Sequence, residues 1–113
     1  MKIYISGQIS NLPKSEALKH FGHAENLLKS KGHKTVNPLT HGHNNGGTWE
    51  EYMLEDIRLL FQCQAIYMLP NWEFSKGARI EHAIATELNI PIYYQGYKEP
   101  TTAPQQHCIT VTQ

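Results

Sequence analysis

Cysteine, net charge and long apolar runs are what this chain has least of. Its two cysteines, Cys63 and Cys108, make no disulfide framework. Cys63 sits in an apolar context and reads as a small core residue in a reducing compartment. Ten basic side chains balance ten acidic ones, so no basic field argues for nucleic acid or an anionic membrane. No segment approaches the roughly 20 apolar residues of a membrane span. The opening Met1-Lys2-Ile3-Tyr4-Ile5-Ser6-Gly7 has too short an apolar run for a signal peptide. His41 and His43 have no third ligand at useful spacing, which argues against a metal site. These absences leave a cytoplasmic globular chain of 113 residues, enough for one domain with a real core.

What is present is alternation. Lys2 to Ser6 reads as a buried strand, followed by a turn-rich loop, Gly7 to Pro13. Ala17, Phe21, Ala24, Leu27 and Leu28 line one face of a helix from about Ser15 to Lys31, with Gly32 as its stop. Lys34-Thr35-Val36 is a second short strand, and Leu39 to Gly47 a polar loop. Thr48 and Glu51 form a capping box for a helix running to about Gln62, with Trp49 as a core residue. Its apolar stripe of Trp49, Tyr52, Met53, Ile57 and Leu60 includes Asp56. Ala65 to Leu69 is apolar throughout, as a central parallel strand should be. A helix opening at Ser75 and a strand over 89–94 complete the order. Strands alternating with helices indicate an α/β fold, a small Rossmann-like three-layer sandwich with a parallel sheet of four or five strands. The domain is expected over 1–94. Residues 95–113 form a polar tail, or an arm that orders against a neighbouring subunit.

Chemistry gathers at Ser75-Lys76-Gly77-Ala78-Arg79-Ile80-Glu81. Strand, small-residue turn and helix aim backbone N–H groups and a positive dipole end at a bound anion. Ser75 suits the N-cap, and Gly77 lets a ligand approach the backbone. Glu81 shares the expected buried face with Gly77, Ala78, Ile84, Ala85 and Leu88. Two acids on apolar faces, Asp56 and Glu81, point to a site, unless Arg58 and Arg79 pair with them as salt bridges. A buried pair separates its two pKa values, so one member can act as base or nucleophile and the other as acid. Trp72, just before the helix, could stack on a base or pack as a lid or subunit contact.

Three pieces in order resemble the nucleoside 2-deoxyribosyltransferase family. They are Tyr4-Ile5-Ser6-Gly7 ending the first strand, Glu55-Asp56-Ile57 on a helix, and the Ser75-x-Gly77-x-x-x-Glu81 turn. The likeness runs from Ile3 to about Ile92 and is strongest to the short 2'-deoxynucleoside 5'-phosphate N-hydrolases. It implies that Glu81 is the nucleophile at C1', that Asp56 protonates the leaving base or positions the reacting groups, and that Tyr4 orients Glu81. It also implies a phosphate cradle made by Ser75 and Gly77 with the loop Gly7, Ile9, Ser10 and Asn11. The nucleotide hydrolases often have Arg and Gly where this chain has Ser10 and Asn11.

The expected activity is hydrolysis of the N-glycosidic bond of a (deoxy)nucleoside 5'-monophosphate, with no cofactor or metal. Base exchange between nucleosides and a non-catalytic nucleotide-binding module are the alternatives. The expected partners are a small-molecule nucleotide or nucleoside, neither nucleic acid nor membrane, and further copies of the chain in a homodimer or larger assembly.

Overall fold

The computed structural model describes residues 1–41 and 46–103. Four strands, β1 (Lys2–Ser6), β2 (Lys34–Val36), β3 (Ala65–Met68) and β4 (Ile92–Tyr94), form one parallel sheet in the order β2-β1-β3-β4. The helices are α1 (Lys14–Ser30), a short α2 (Pro38–His41), α3 (Trp49–Phe61) and α4 (Lys76–Glu87), with a 3-10 turn over Trp72–Phe74. The α/β fold expected from the alternation is present, with four strands.

Strand alternation divides the core into two apolar layers. Ile3, Ile5, Ala65 and Tyr67 face α1 and pack with Phe21, Ala24 and Leu28. Tyr4, Val36, Ile66 and Met68 face the other way, among Leu59, Leu60, Ala78 and Ala85 of α3 and α4. The sheet is therefore a middle layer between α1 and the α3–α4 pair.

Local chemistry sets the helix ends. Gly32 (φ 88°) closes α1, with its amide and that of His33 donating to Lys29 and Leu28 carbonyls. Asn89 (φ 57°) plays the same part after α4, where Ile90 N donates to Ala85 O at 2.9 Å. Thr48 and Glu51 cap α3 reciprocally, Glu51 N donating to Thr48 Oγ1 at 3.1 Å and Thr48 N to Glu51 Oε1 at 2.8 Å.

Several expectations need correction. The segment read as loop from Leu39 begins inside α2, because buried Asn37 accepts from Leu39 N at 3.0 Å and Pro38 fits a first helical position. Leu88 is 53 % exposed, because it lies at the C-cap beyond the last turn that packs. His41 Nδ1 lies 3.0 Å from Asn37 O, and His43 falls outside the described residues.

Residues 95–103 lie against their own chain. Tyr67 Oη donates to Glu99 at 2.7 Å, Lys31 Nζ donates to Pro100 O at 3.2 Å, and Ala103 N donates to Lys31 O at 2.7 Å. Among the described residues, no helix is long and apolar enough to cross a membrane.

Candidate active site

Tyr4 and Ser6 are alternate residues of β1, so both side chains leave the sheet toward α3 and α4. Glu81 descends from the second turn of α4 to meet them. Tyr4 Oη donates to Glu81 Oε2 at 2.8 Å and Ser6 Oγ donates to Oε1 at 2.6 Å. Each carboxylate oxygen thus has its own hydroxyl donor, and only 4 % of Glu81 is exposed.

Asp56, also buried, comes from the start of the third turn of α3 and lines the same cavity of about 340 Å³. The two arginines available as salt-bridge partners for the acids bond to other groups. Arg58 donates to both oxygens of Glu55, and Arg79 Nη1 donates to Glu73 O at 2.8 Å.

Burial, joined by the Asp56 charge, raises the Glu81 carboxyl to about 8, against the lowering effect of the Ser6 and Tyr4 bonds. Burial pushes the Tyr4 phenol well above its ordinary value, and the charges of Glu81 and Asp56 add to it. Tyr4 is accordingly a hydrogen-bond donor here and not a base. A carboxyl group that exchanges its proton near pH 8, held at both oxygens and open to a cavity, can act as a nucleophile or trade a proton.

Gly7, Ile9, Ser10, Asn11, Ser75 and Gly77 line this cavity together with Tyr4, Asp56 and Glu81. Ser75 Oγ accepts from Ala78 N at 3.1 Å and caps α4. The amides of Lys76 and Gly77 then have no acceptor within the helix, as helix geometry requires of a first turn. Asn11 takes φ 66°, a left-handed conformation that asparagine tolerates better than most residues.

Both glycines have packing reasons beside any ligand. A Cβ on Gly7 would stand 2.6 Å from Leu69 Cδ1, and one on Gly77 would stand 2.9 Å from Met53 Sδ. Close backbone approach at these positions is to the protein itself.

Trp72 does not reach the cavity. Its ring stacks on His82, centroids 4.3 Å apart at 17°, on the β4 side of α4, and His82 Nε2 lies 2.8 Å from Tyr94 Oη. Trp49, expected in the core, is 38 % exposed and lines the cavity instead. Ser6, Trp49, Tyr52, Lys76 and Arg79 are cavity residues that the sequence reading did not assign to the site. Two had a signal: Ser6 lies two residues from Tyr4 on one strand face, and Trp49 lies two helical turns before Asp56.

Residues 1–94 match the family described as "Domain of unknown function (DUF4406)". No curated protein matches the chain. Among solved structures, the 2-deoxyribosyltransferase of the psychrotolerant bacterium Bacillus psychrosaccharolyticus is 22 % identical, with a TM-score of 0.65. The alignment covers 98 % of this chain and 81 % of that one. At that identity, what the two chains share is a fold.

Proposed function

Since the chain belongs to the DUF4406 family, whose description names no chemistry, we propose from the site itself that it cleaves N-glycosidic bonds of (deoxy)nucleoside 5'-monophosphates. The observation that carries the proposal is Glu81, a buried carboxylate held by the Tyr4 and Ser6 hydroxyls in a cavity that it shares with Asp56. A protein that only binds nucleotides has no need of a carboxylate so placed. The fold of a 2-deoxyribosyltransferase supports the same class of chemistry.

The pair's single proton rests on Glu81; it passes to Asp56 as substrate binds, and Glu81, then ionised, attacks C1' of the sugar. The C1'–N bond breaks, its electron pair leaves with the base, and the Asp56 carboxyl donates the proton that neutralises the leaving nitrogen. General acid help of this kind is worth roughly 10²–10⁴-fold. The result is an ester between Glu81 and the sugar. Water then attacks C1', the Asp56 carboxylate takes its proton, and Glu81 departs as carboxylate. Two displacements at one carbon preserve its configuration. The acids start with one proton between them and regain it at the end.

Tyr4 and Ser6 position Glu81 and stabilise its charge. Ser75 and the first-turn amides of α4, opposite the loop Gly7 to Asn11, suit a 5'-phosphate, because an anion there meets N–H donors and a positive helix end. If a second base reaches the ester before water does, the same steps exchange bases. Hydrolysis is placed ahead of exchange.

The test is a panel of ribo- and deoxyribonucleosides and their 5'-monophosphates, incubated with the protein and with Glu81→Gln, and scored for free base. Release from a monophosphate that the variant abolishes is the expected result. Intact substrates throughout, with binding retained, would make the chain a nucleotide-binding module.

A further inference from the structure

A nucleoside monophosphate entering this cavity brings a phosphate with up to two negative charges toward a site that already holds two acids. Among the described residues lining the cavity, only Lys76 and Arg79 carry fixed positive charge. Arg79 has Nη1 bonded to the Glu73 carbonyl. Lys76 is placed differently: its Nζ lies over the ring of Trp49, 4.8 Å from the centroid. That contact joins the first residue of α4 to the first residue of α3, and both residues line the cavity. A lysine on an indole is a point charge on a flexible stem in a weak contact, and a phosphate oxygen is the stronger partner.

Given the N-glycosidase reading above, on which this rests, we infer that Lys76 and Trp49 form a coupled selector for phosphorylated substrate. Without ligand the ammonium covers the indole face. A 5'-phosphate at the start of α4 draws Lys76 off the ring, and the freed face of Trp49 stacks on the base. A free nucleoside meets the ring still covered and has no charge with which to displace the lysine. One side chain therefore adds affinity for the phosphate ester and disfavours its dephosphorylated form. The stacking platform is Trp49, in place of Trp72, which packs elsewhere.

The test uses binding, so that it is separate from turnover. In full-length Glu81→Gln protein, calorimetry gives the affinities for a deoxynucleoside 5'-monophosphate and for the matching nucleoside. Adding Lys76→Gln is expected to weaken the monophosphate by roughly ten- to a hundredfold, to leave the nucleoside within about twofold or tighten it, and to be repaired by Lys76→Arg. In a Trp72→Phe background, under excitation selective for tryptophan, Trp49 is the sole emitter, and inorganic phosphate alone should change that emission, with no change once Lys76 is Gln.

Equal weakening of both ligands by Lys76→Gln, no weakening of either, or Trp49 emission indifferent to phosphate would overturn the selector and leave the N-glycosidase reading standing. Failure of both ligands to bind the Glu81→Gln protein would remove that reading and the selector together.

Discussion

At the scale of single residues, Glu81 sets most of what can be measured. Its carboxyl is raised to about 8 in the folded protein from an ordinary value of 4.5, so between those limits the folded state holds a proton that the unfolded chain has lost. Stability from this group is complete below about pH 4.5 and is lost as pH rises through 8, at up to about 1.4 kcal/mol per pH unit. Glu81→Gln cannot ionise. Its urea stability should be flatter than wild type between pH 5 and 8.5, and higher at the alkaline end; parallel profiles would contradict the raised carboxyl. The same proton should appear in catalysis: the singly protonated Asp56–Glu81 pair is the active form, so kcat/KM should fall with rising pH along a limb near 8 that belongs to the pair. Ser6 and Tyr4 lower the Glu81 value by donating to it. Ser6→Ala or Tyr4→Phe should therefore move that limb to higher pH and cost roughly ten- to a hundredfold in kcat/KM. A loss of rate with an unmoved limb would make Ser6 a packing residue only.

The elements explain why these residues meet. Helices α3 and α4 each start beside the cavity, α3 carrying Asp56 at the start of its third turn and α4 carrying Glu81 in its second. The capping box fixes the start of α3, so Thr48→Ala should lower stability by about 1 kcal/mol in urea unfolding and disturb Trp49 and Asp56 together. Gly7 lies where β1 turns toward α1, with Leu69 in the way of any Cβ. Gly7→Ala should cost roughly 1–3 kcal/mol, with no requirement that substrate be present. Much at this scale was legible in the sequence. Caps, stops and apolar stripes are local signals, and Thr48, Ser75, Gly32 and Asp56 all behave as their patterns indicated. The four-residue α2 was not, because an Asn-Pro pair reads equally well as the end of a strand. Nor was the direction of Trp72, since the 3-10 turn before α4 sets its azimuth, and nearness in sequence to Glu81 does not.

The whole molecule turns a neutral chain into one locally polarised crevice. The sheet order β2-β1-β3-β4 brings the carboxyl ends of β1 and β3 side by side, and the loops leaving them form two walls of the cavity. The alternating strands and helices gave away the fold class, and the two acids on apolar stripes are both buried and line one cavity. The cavity's aromatic and cationic rim was hidden, because Trp49 and Lys76 are neighbours only after α3 and α4 pack. If Glu81 is the nucleophile, an ester to the sugar must form on that one side chain. The most direct measurement is peptide mass spectrometry after acid quench, using a 2'-fluoro deoxynucleoside 5'-monophosphate whose electron-poor sugar slows breakdown of the ester. The account predicts a sugar-phosphate adduct on the peptide containing Glu81 and none in Glu81→Gln. Steady release of base with Glu81 unmodified, or undiminished release by the Gln variant, would contradict it.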